Sequence, residues 1–303
     1  MINFTPITTQ NKELYESFLF RDSERGCEFS FANVVLWGNQ NFALVGENLA
    51  MLSHFGEYTV YPFPFGENVD KNVLDMIVAH AKENGNPVRF SGISPNKKER
   101  LEQLYPGKFS FSASRNSFDY VYDIDDLADL PGRKYHSKRN HIKRFENAFP
   151  DYKIISLNCE NIHLASEISN RWFAQKSEEN PENNFEMERI ALSRAFDNFE
   201  AFELEGIVLT DGINPVAFTI ASRLSADTFD VHFEKALRGV DGAYAVVNRE
   251  FARALREKFP EVRFVDREED MGIEGLRKAK LSYYPHHLVE KYRATLLAEE
   301  QTV

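Results

Sequence analysis

Thr228-Phe229-Asp230-Val231-His232-Phe233-Glu234, followed after Lys235 by Ala236-Leu237-Arg238-Gly239-Val240-Asp241-Gly242-Ala243-Tyr244, is the stretch that decides the fold. The first seven residues alternate polar with apolar, which is the period of a strand. Gly239 and Gly242 then punctuate a turn. From Ala243 to Lys258 the residues Val246, Val247, Phe251 and Leu255, with Phe259 just beyond, recur at helical spacing. Upstream, Ile207-Val208-Leu209 and Val216 to Ile220 flank Asp211-Gly212-Ile213-Asn214-Pro215 and read as a hairpin. Downstream, Val262-Arg263-Phe264 predicts the strand that follows the helix.

The same order occurs in the first half. Phe42 to Val45 and Ala50 to Leu52 flank Gly46-Glu47-Asn48, and a strand follows from Tyr58 to Phe65. A helix from Lys71 to Lys82 carries Val73, Leu74, Ile77, Val78 and Ala81, and Val88-Arg89-Phe90 closes the unit. Hairpin, strand, helix, strand appearing twice predicts a duplicated α/β plan, in the α+β sense, with two lobes of mixed sheet flanked by helices. Before the second hairpin, Tyr152 to Leu157 reads as a strand. Two helical patterns follow, through Leu164, Ile168, Trp172 and Phe173 and through Ile190, Leu192, Ala195 and Phe196. The polar segment 178–184, with Pro181, reads as a loop between them. An acidic turn at Asp123, Asp125, Asp126 and Asp129 before Pro131-Gly132 divides the chain into lobes 1–128 and 129–303.

Composition supports two cores. The chain has 303 residues, 43% of them hydrophobic and 26 of them Phe, too long for one compact core and too apolar for disorder. A formal net charge of -11 argues against nonspecific coating of nucleic acid by the whole surface. Only Cys27 and Cys159 are present, in no disulfide or zinc spacing, which suits a reducing compartment. No apolar run approaches the roughly 20 residues of a membrane span, and no leader pattern opens the chain. The expectation is a cytoplasmic protein whose contact with a membrane, if it has any, is peripheral. A Walker loop, a nucleophile elbow and a zinc-type cysteine pairing are all missing, and His286-His287 with Glu290, which has metal-ligand residue types, reads rather as a strand with an accidental pair.

Four segments can carry chemistry. By alternation, Asp230, His232 and Glu234 share one face of their strand and Phe229, Val231 and Phe233 the other. Glu234, at the end of a central strand, is the candidate general base, because partial desolvation raises a carboxyl into the useful range. In the turn, Arg238, Gly239, Gly242 and Ala243 offer a charge, close backbone approach and a helix N-terminus to an anion. The segment Asp266 to Pro285 runs from an acidic loop, Asp266 to Asp270, into a helix bearing Arg277, Lys278 and Lys280, with Tyr283-Tyr284 at its far end. A fourth segment is basic: Arg133, Lys134, Lys138, Arg139, Lys143 and Arg144 occur within twelve residues without an acid. On a helix, Tyr135, Ile142 and Phe145 dock on the fold and the cations face an anionic partner such as RNA phosphate or a lipid headgroup.

Arg133-Lys134-Tyr135-His136-Ser137-Lys138-Arg139-Asn140-His141 and Gly272-Ile273-Glu274-Gly275-Leu276-Arg277-Lys278-Ala279-Lys280-Leu281-Ser282-Tyr283 resemble a bacterial, largely uncharacterised family. It is grouped with the C-terminal domain of phosphatidylglycerol lysyltransferase. The resemblance spans nearly the whole chain and implies two Gcn5-related acyltransferase folds in tandem, similar in plan to the Fem aminoacyltransferases. It places Glu234 where Gcn5-related enzymes hold a general base, and Arg238 to Ala243 where they bind the pyrophosphate of coenzyme A, although Gly239 stands where their turn carries Gln or Arg. Gly275-Leu276 with Lys280 resembles the Gly-Leu…Phe-Lys segment of Fem enzymes, Ala279 replacing the Phe; there the lysine neutralises charge near the transferred group.

The expected activity is acyl or aminoacyl transfer from an aminoacyl-tRNA or an acyl-coenzyme A to an amine, with no firmly implied cofactor. Glu234 takes the ammonium proton, with His232 and Asp230 beside it; Lys280 helps the oxyanion and Tyr283 or Tyr284 protonates the leaving group. The first lobe, whose strand Tyr58 to Phe65 has two prolines and no charged row, shapes the cleft. The alternative is a non-catalytic RNA- or ligand-binding module that keeps the fold.

Overall fold

The computed structural model describes residues 2–22, 26–38, 40–55, 58–66, 68–179, 182 and 184–298. It is a mixed α/β structure with two mixed sheets, and the chain divides into two compact units. One holds the residues up to Asp119, together with Glu269–Arg277 and the segment from Leu288 onward; the other holds Tyr120–Glu268 and Lys278–His287. Among the described residues no helix is long and apolar enough to cross a membrane.

In the first unit the sheet runs in the order Thr5–Pro6, Gln40–Val45, Asn48–Phe55, Tyr58–Pro62, Arg89–Ile93, Tyr292–Leu296, Phe109–Ala113, with Phe65–Gly66 pairing on Asn48–Phe55. Tyr58–Pro62 and Arg89–Ile93 are parallel, joined through the helix Lys71–Glu83. Asp70 caps that helix by accepting from the Val73 N–H, and Val73, Leu74, Ile77 and Ala81 are buried. The expected strand from Tyr58 to Phe65 is broken because Pro62 and Pro64 have no N–H to donate to a ladder; Phe65–Gly66 turns instead to Asn48 and Leu49.

The second unit's sheet has the order His287–Val289, Asp119–Asp123, Phe264–Asp266, Thr228–Ala236, Pro215–Ser225, Glu205–Thr210, Lys153–Ser156. Its one parallel pairing among those described joins Thr228–Ala236 to Phe264–Asp266 through the helix Ala243–Lys258. Val246, Val247, Phe251 and Leu255 are buried there, as their spacing predicts; each such side chain contributes about 1.5–3 kcal/mol. Hairpin, strand, helix and parallel strand therefore do recur.

Three local expectations change. The acidic turn is a short helix, Ile124–Asp129, whose N–H groups favour acids: Asp123 caps it through the Asp125 N–H. The helix His163–Glu179 extends into the expected polar loop, of which Asn180, Pro181 and Asn183 lie outside the described residues. The strand Tyr292–Leu296 pairs with Arg89–Ile93 and Phe109–Ala113, so the last segment of chain belongs to the first sheet, which a single cut at 128/129 does not register. Lys291 precedes it and lies 2.7 Å from both Asp119 and Glu28, with Cys27 Sγ 3.5 Å away.

Candidate functional site

The strand Thr228–Ala236 does not alternate throughout. Opposite it, Ile220 pairs with Phe233 and Ala221 with Val231, so His232 is an extra residue, a β-bulge. A bulge shifts every later side chain to the other face. Asp230 and His232 stay together: His232 Nδ1 is 3.4 Å from Asp230 Oδ2 and 3.4 Å from Glu268 Oε1, while Nε2 is 2.8 Å from Ser222 Oγ. Glu234 turns away from them, toward the helix Ala243–Lys258, where the Asn248 amide donates to it at 3.1 Å. Lys235, next along, faces the opposite side, paired with Glu188 at 2.7 Å and 3.5 Å from the Trp172 ring centre. The expected row Asp230, His232, Glu234 on a single face is thus corrected to two separate groups.

Glu234 is the centre of the second group. Arg267 Nη2 donates to its Oε1 at 2.8 Å, and both side chains are nearly nine-tenths buried. Thr219 is its cross-strand partner. Three buried polar atoms touching this carboxylate's neighbourhood, Thr219 Oγ1, Asn248 Oδ1 and Arg267 Nη1, have no hydrogen-bond partner among the described residues. Buried polar atoms are satisfied in native proteins almost without exception, so three in one place point to a ligand or water. Tyr283 completes the wall: it is 5% exposed, its ring centre 5.0 Å from Arg267 Cζ and 3.8 Å from Lys138 Nζ. Burial raises its phenol well above the usual tyrosine value, so it holds its proton.

The basic helix is His136–Ala148, and Tyr135, Ile142 and Phe145 are buried as expected. Its cations do not form one outward patch. Lys138 points inward; burial first, then the Arg267 charge, pull its ammonium from 10.5 down to about 8, against the opposing pull of Glu234. Arg139 donates to the carbonyls of Leu130 and Gly132 and holds the preceding loop. Lys134 pairs with Asp126 at 2.9 Å and Arg144 with Asp241 at 3.2 Å. Arg133 and Lys143 are exposed and carry no ion pair among the described residues. Alternating charge requirements explain the change: a helix this basic is stabilised by whatever acids and carbonyls lie within reach.

The glycine turn serves packing. Gly242 has φ +86°, and a Cβ there would overlap the His141 carbonyl oxygen and lie 2.9 Å from Phe145 Cβ. The basic helix thus packs directly on the turn at Gly242. Arg238 donates its N–H to Gln175 and pairs with Glu179 at 2.9 Å, and the Ala243 N–H is bonded to Val240. Gly239, with φ +85°, has open space around it. Lys280 is also committed: it is buried and its ammonium donates to the carbonyls of Arg267 and Glu268 at 3.0 Å for the latter, while Tyr122 Oη donates to its own carbonyl. Tyr284 is exposed and packs edge-on against Tyr135.

Arg267 lies within the candidate segment Asp266 to Pro285 but was given no role by sequence reasoning, and Asn248 and Thr219 were not singled out. Asn248 leaves a trace, an amide directly after Val246-Val247 on the apolar face of its helix, and Arg267 follows the strand that ends at Asp266. Among the described residues, two groups have donor sets of the metal-ligating kind. In Cys27, Asp119 and Glu269 the Lys291 ammonium already supplies the positive charge. Asp230, His232 and Glu268 bring their donor atoms within 4.8 Å of one another.

Residues 21–295 match the family described as phosphatidylglycerol lysyltransferase, C-terminal. A conserved protein of unknown function from Bacteroides thetaiotaomicron VPI-5482 is 36% identical, with a TM-score of 0.93 over 98% of this chain and 100% of its own. L-PGS from Bacillus licheniformis shares 16% identity at a TM-score of 0.63, over 94% of this chain and 91% of its own. A tandem GNAT protein from the clavulanic acid biosynthesis pathway shares 10% identity at 0.54, over 99% and 100%. The last two show the fold alone, a tandem of Gcn5-related lobes. A search of curated proteins finds no match. With the family match spanning nearly the whole chain, and a full-length relative at 36% identity sharing its fold, the chain belongs to the family of phosphatidylglycerol lysyltransferase C-terminal domains.

Proposed function

We propose that the group of residues around Glu234 transfers an aminoacyl or acyl group from an activated donor to an amine. The observation that carries this reading is the set of unpaired buried atoms around one carboxylate: Thr219 Oγ1, Asn248 Oδ1 and Arg267 Nη1. Buried polar atoms grouped around one carboxylate are where a ligand's own donors and acceptors would be received. In the reaction Glu234, oriented by Arg267 and the Asn248 amide, accepts the proton of the attacking ammonium. The free amine adds to the donor carbonyl, the C–O or C–S bond to the carrier breaks, and the carrier leaves with a proton. Asn248 Oδ1 and Thr219 Oγ1 are acceptors suited to the N–H groups of an amine held for attack. Lys138, with its lowered value, is better matched to returning that proton near neutral pH than Tyr283 is.

The donor favoured is aminoacyl-tRNA. The family's name speaks of lysyl transfer, and in the turn that Gcn5-related enzymes use for coenzyme A the chain's own helix packs on Gly242 while Glu179 engages Arg238. Pooled, charged tRNA and acetyl-coenzyme A, each with labelled acyl groups, are offered with a bacterial extract as the source of amines. Label leaving tRNA for an extract component supports the reading. Label leaving only acetyl-coenzyme A replaces the donor, and no transfer from either donor leaves the non-catalytic alternative.

A further inference from the structure

We propose that Asp230, His232 and Glu268 form a zinc site in the second unit, with water as the fourth ligand. Their donor atoms lie within 4.8 Å of one another. His232 Nδ1 stands 3.4 Å from Asp230 Oδ2 and 3.4 Å from Glu268 Oε1. Those distances decide between ion pairs and a shared ion. Buried ion pairs elsewhere in this chain close to 2.7 Å at Lys235–Glu188 and Lys291–Asp119, and to 2.8 Å at Arg267–Glu234. That is the length a charge-assisted hydrogen bond takes. The imidazole stops well short of it with both acids. Two ligands each about 2.0–2.1 Å from a tetrahedral zinc stand roughly 3.4 Å apart, which is the spacing here. The ring is also held from behind. Its Nε2 lies 2.8 Å from Ser222 Oγ, so with Nδ1 on the ion Nε2–H donates to that hydroxyl, the second hydrogen bond that orients a ligating histidine. Glu268 is fixed through its backbone: its N–H donates to Asp266 Oδ1 at 2.8 Å, and the Lys280 ammonium donates to its carbonyl at 3.0 Å. The Asp230 and His232 side chains are buried, while that of Glu268 is 20% exposed and gives the ion and its water a way in. A nitrogen among the ligands suits zinc, whereas calcium and magnesium take oxygen. The other donor set, Cys27, Asp119 and Glu269, is already served by the Lys291 ammonium. The zinc site does not rest on the transferase reading. A bound ion ties the strand Thr228–Ala236 to the residue that follows Arg267, the partner of Glu234.

The test uses the full chain freed of metal by a chelator and then titrated with Zn²⁺ or Co²⁺ alone. Calorimetry reads the affinity, and the visible spectrum of cobalt reads the ligand geometry. The wild type takes up a single ion, and its cobalt form shows the strong absorption of a tetrahedral site without a thiolate charge-transfer band. His232→Gln and Glu268→Gln each weaken zinc binding by more than about tenfold, and Ser222→Ala, which removes only the hydroxyl behind the ring, weakens it by about tenfold. Cys27→Ser leaves binding and spectrum unchanged. Circular dichroism confirms that each variant is folded. Glu268, being the partly exposed ligand, decides the matter if His232→Gln does not fold. A wild type that takes up neither ion overturns the site, as does a Glu268→Gln chain that binds zinc as the wild type does. A thiolate band that disappears in Cys27→Ser places the ion in the other donor set and overturns it equally.

Discussion

Glu234 owes its surroundings to His232. The extra residue in the strand sends Glu234 toward Asn248 and Arg267 and leaves His232 among Asp230, Glu268 and Ser222. Glu234→Gln keeps the shape but leaves the Arg267 guanidinium with a neutral partner; both are mostly buried, so a loss of about 3 kcal/mol in urea unfolding is expected. A loss under about 1 kcal/mol contradicts the buried pair. Lys138 gives a pH signature. Its folded value, about 8, lies below the ordinary 10.5, so between those values the unfolded chain binds more protons and stability rises with pH. Below pH 8 both states are protonated and the penalty is complete. Lys138→Met is therefore expected to raise the melting temperature at pH 7, and the gain shrinks toward pH 10.5. An equal gain at both ends assigns the effect to packing. Glu234 was legible as a strand-end carboxylate, whereas its partners were not: a bulge has no sequence mark here, and alternation carried through it puts Glu234 on the wrong face.

At the scale of elements, the turn before Ala243–Lys258 distinguishes two glycines that look alike in sequence. Both have positive φ, +85° at Gly239 and +86° at Gly242. Gly239→Ala meets nothing and costs about 1–2 kcal/mol of backbone strain. Gly242→Ala adds a collision with the His141 carbonyl and Phe145, so the expected cost is higher, about 2–4 kcal/mol, and falls on the seating of the helix His136–Ala148. Equal melting temperatures for the two variants remove the packing role of Gly242. The helix itself was readable from Tyr135, Ile142 and Phe145. Its charges were not, because Asp126 comes from the short helix Ile124–Asp129, and Asp241 and the carbonyls of Leu130 and Gly132 from loops, whose positions follow from the folded chain.

Across the whole molecule, the repeated hairpin, strand, helix and parallel strand made the two-sheet plan legible, since buried faces impose their period on the residues that form them. The strand Tyr292–Leu296 escaped because it is only five residues long, although Arg293 and Thr295 alternate with its apolar residues. Lys291, held by Asp119 and Glu28, fixes where that strand begins. Of the Lys291–Asp119 pair, the rise of the lysine is the direction that the 2.7 Å contact supports. Lys291→Met strands two carboxylates and is expected to cost about 3 kcal/mol and to speed hydrogen exchange in Tyr292–Leu296 first; unchanged exchange there removes the anchoring role. The central claim is that the Glu234 carboxylate is the base of a transfer reaction. It is tested most directly by single-turnover transfer from labelled aminoacyl-tRNA, wild type against Glu234→Gln, with both proteins saturated by donor and confirmed folded at the assay temperature. Loss of a positioned base lowers the rate by roughly 100-fold or more while donor affinity stays within about twofold; equal rates in the two proteins contradict it.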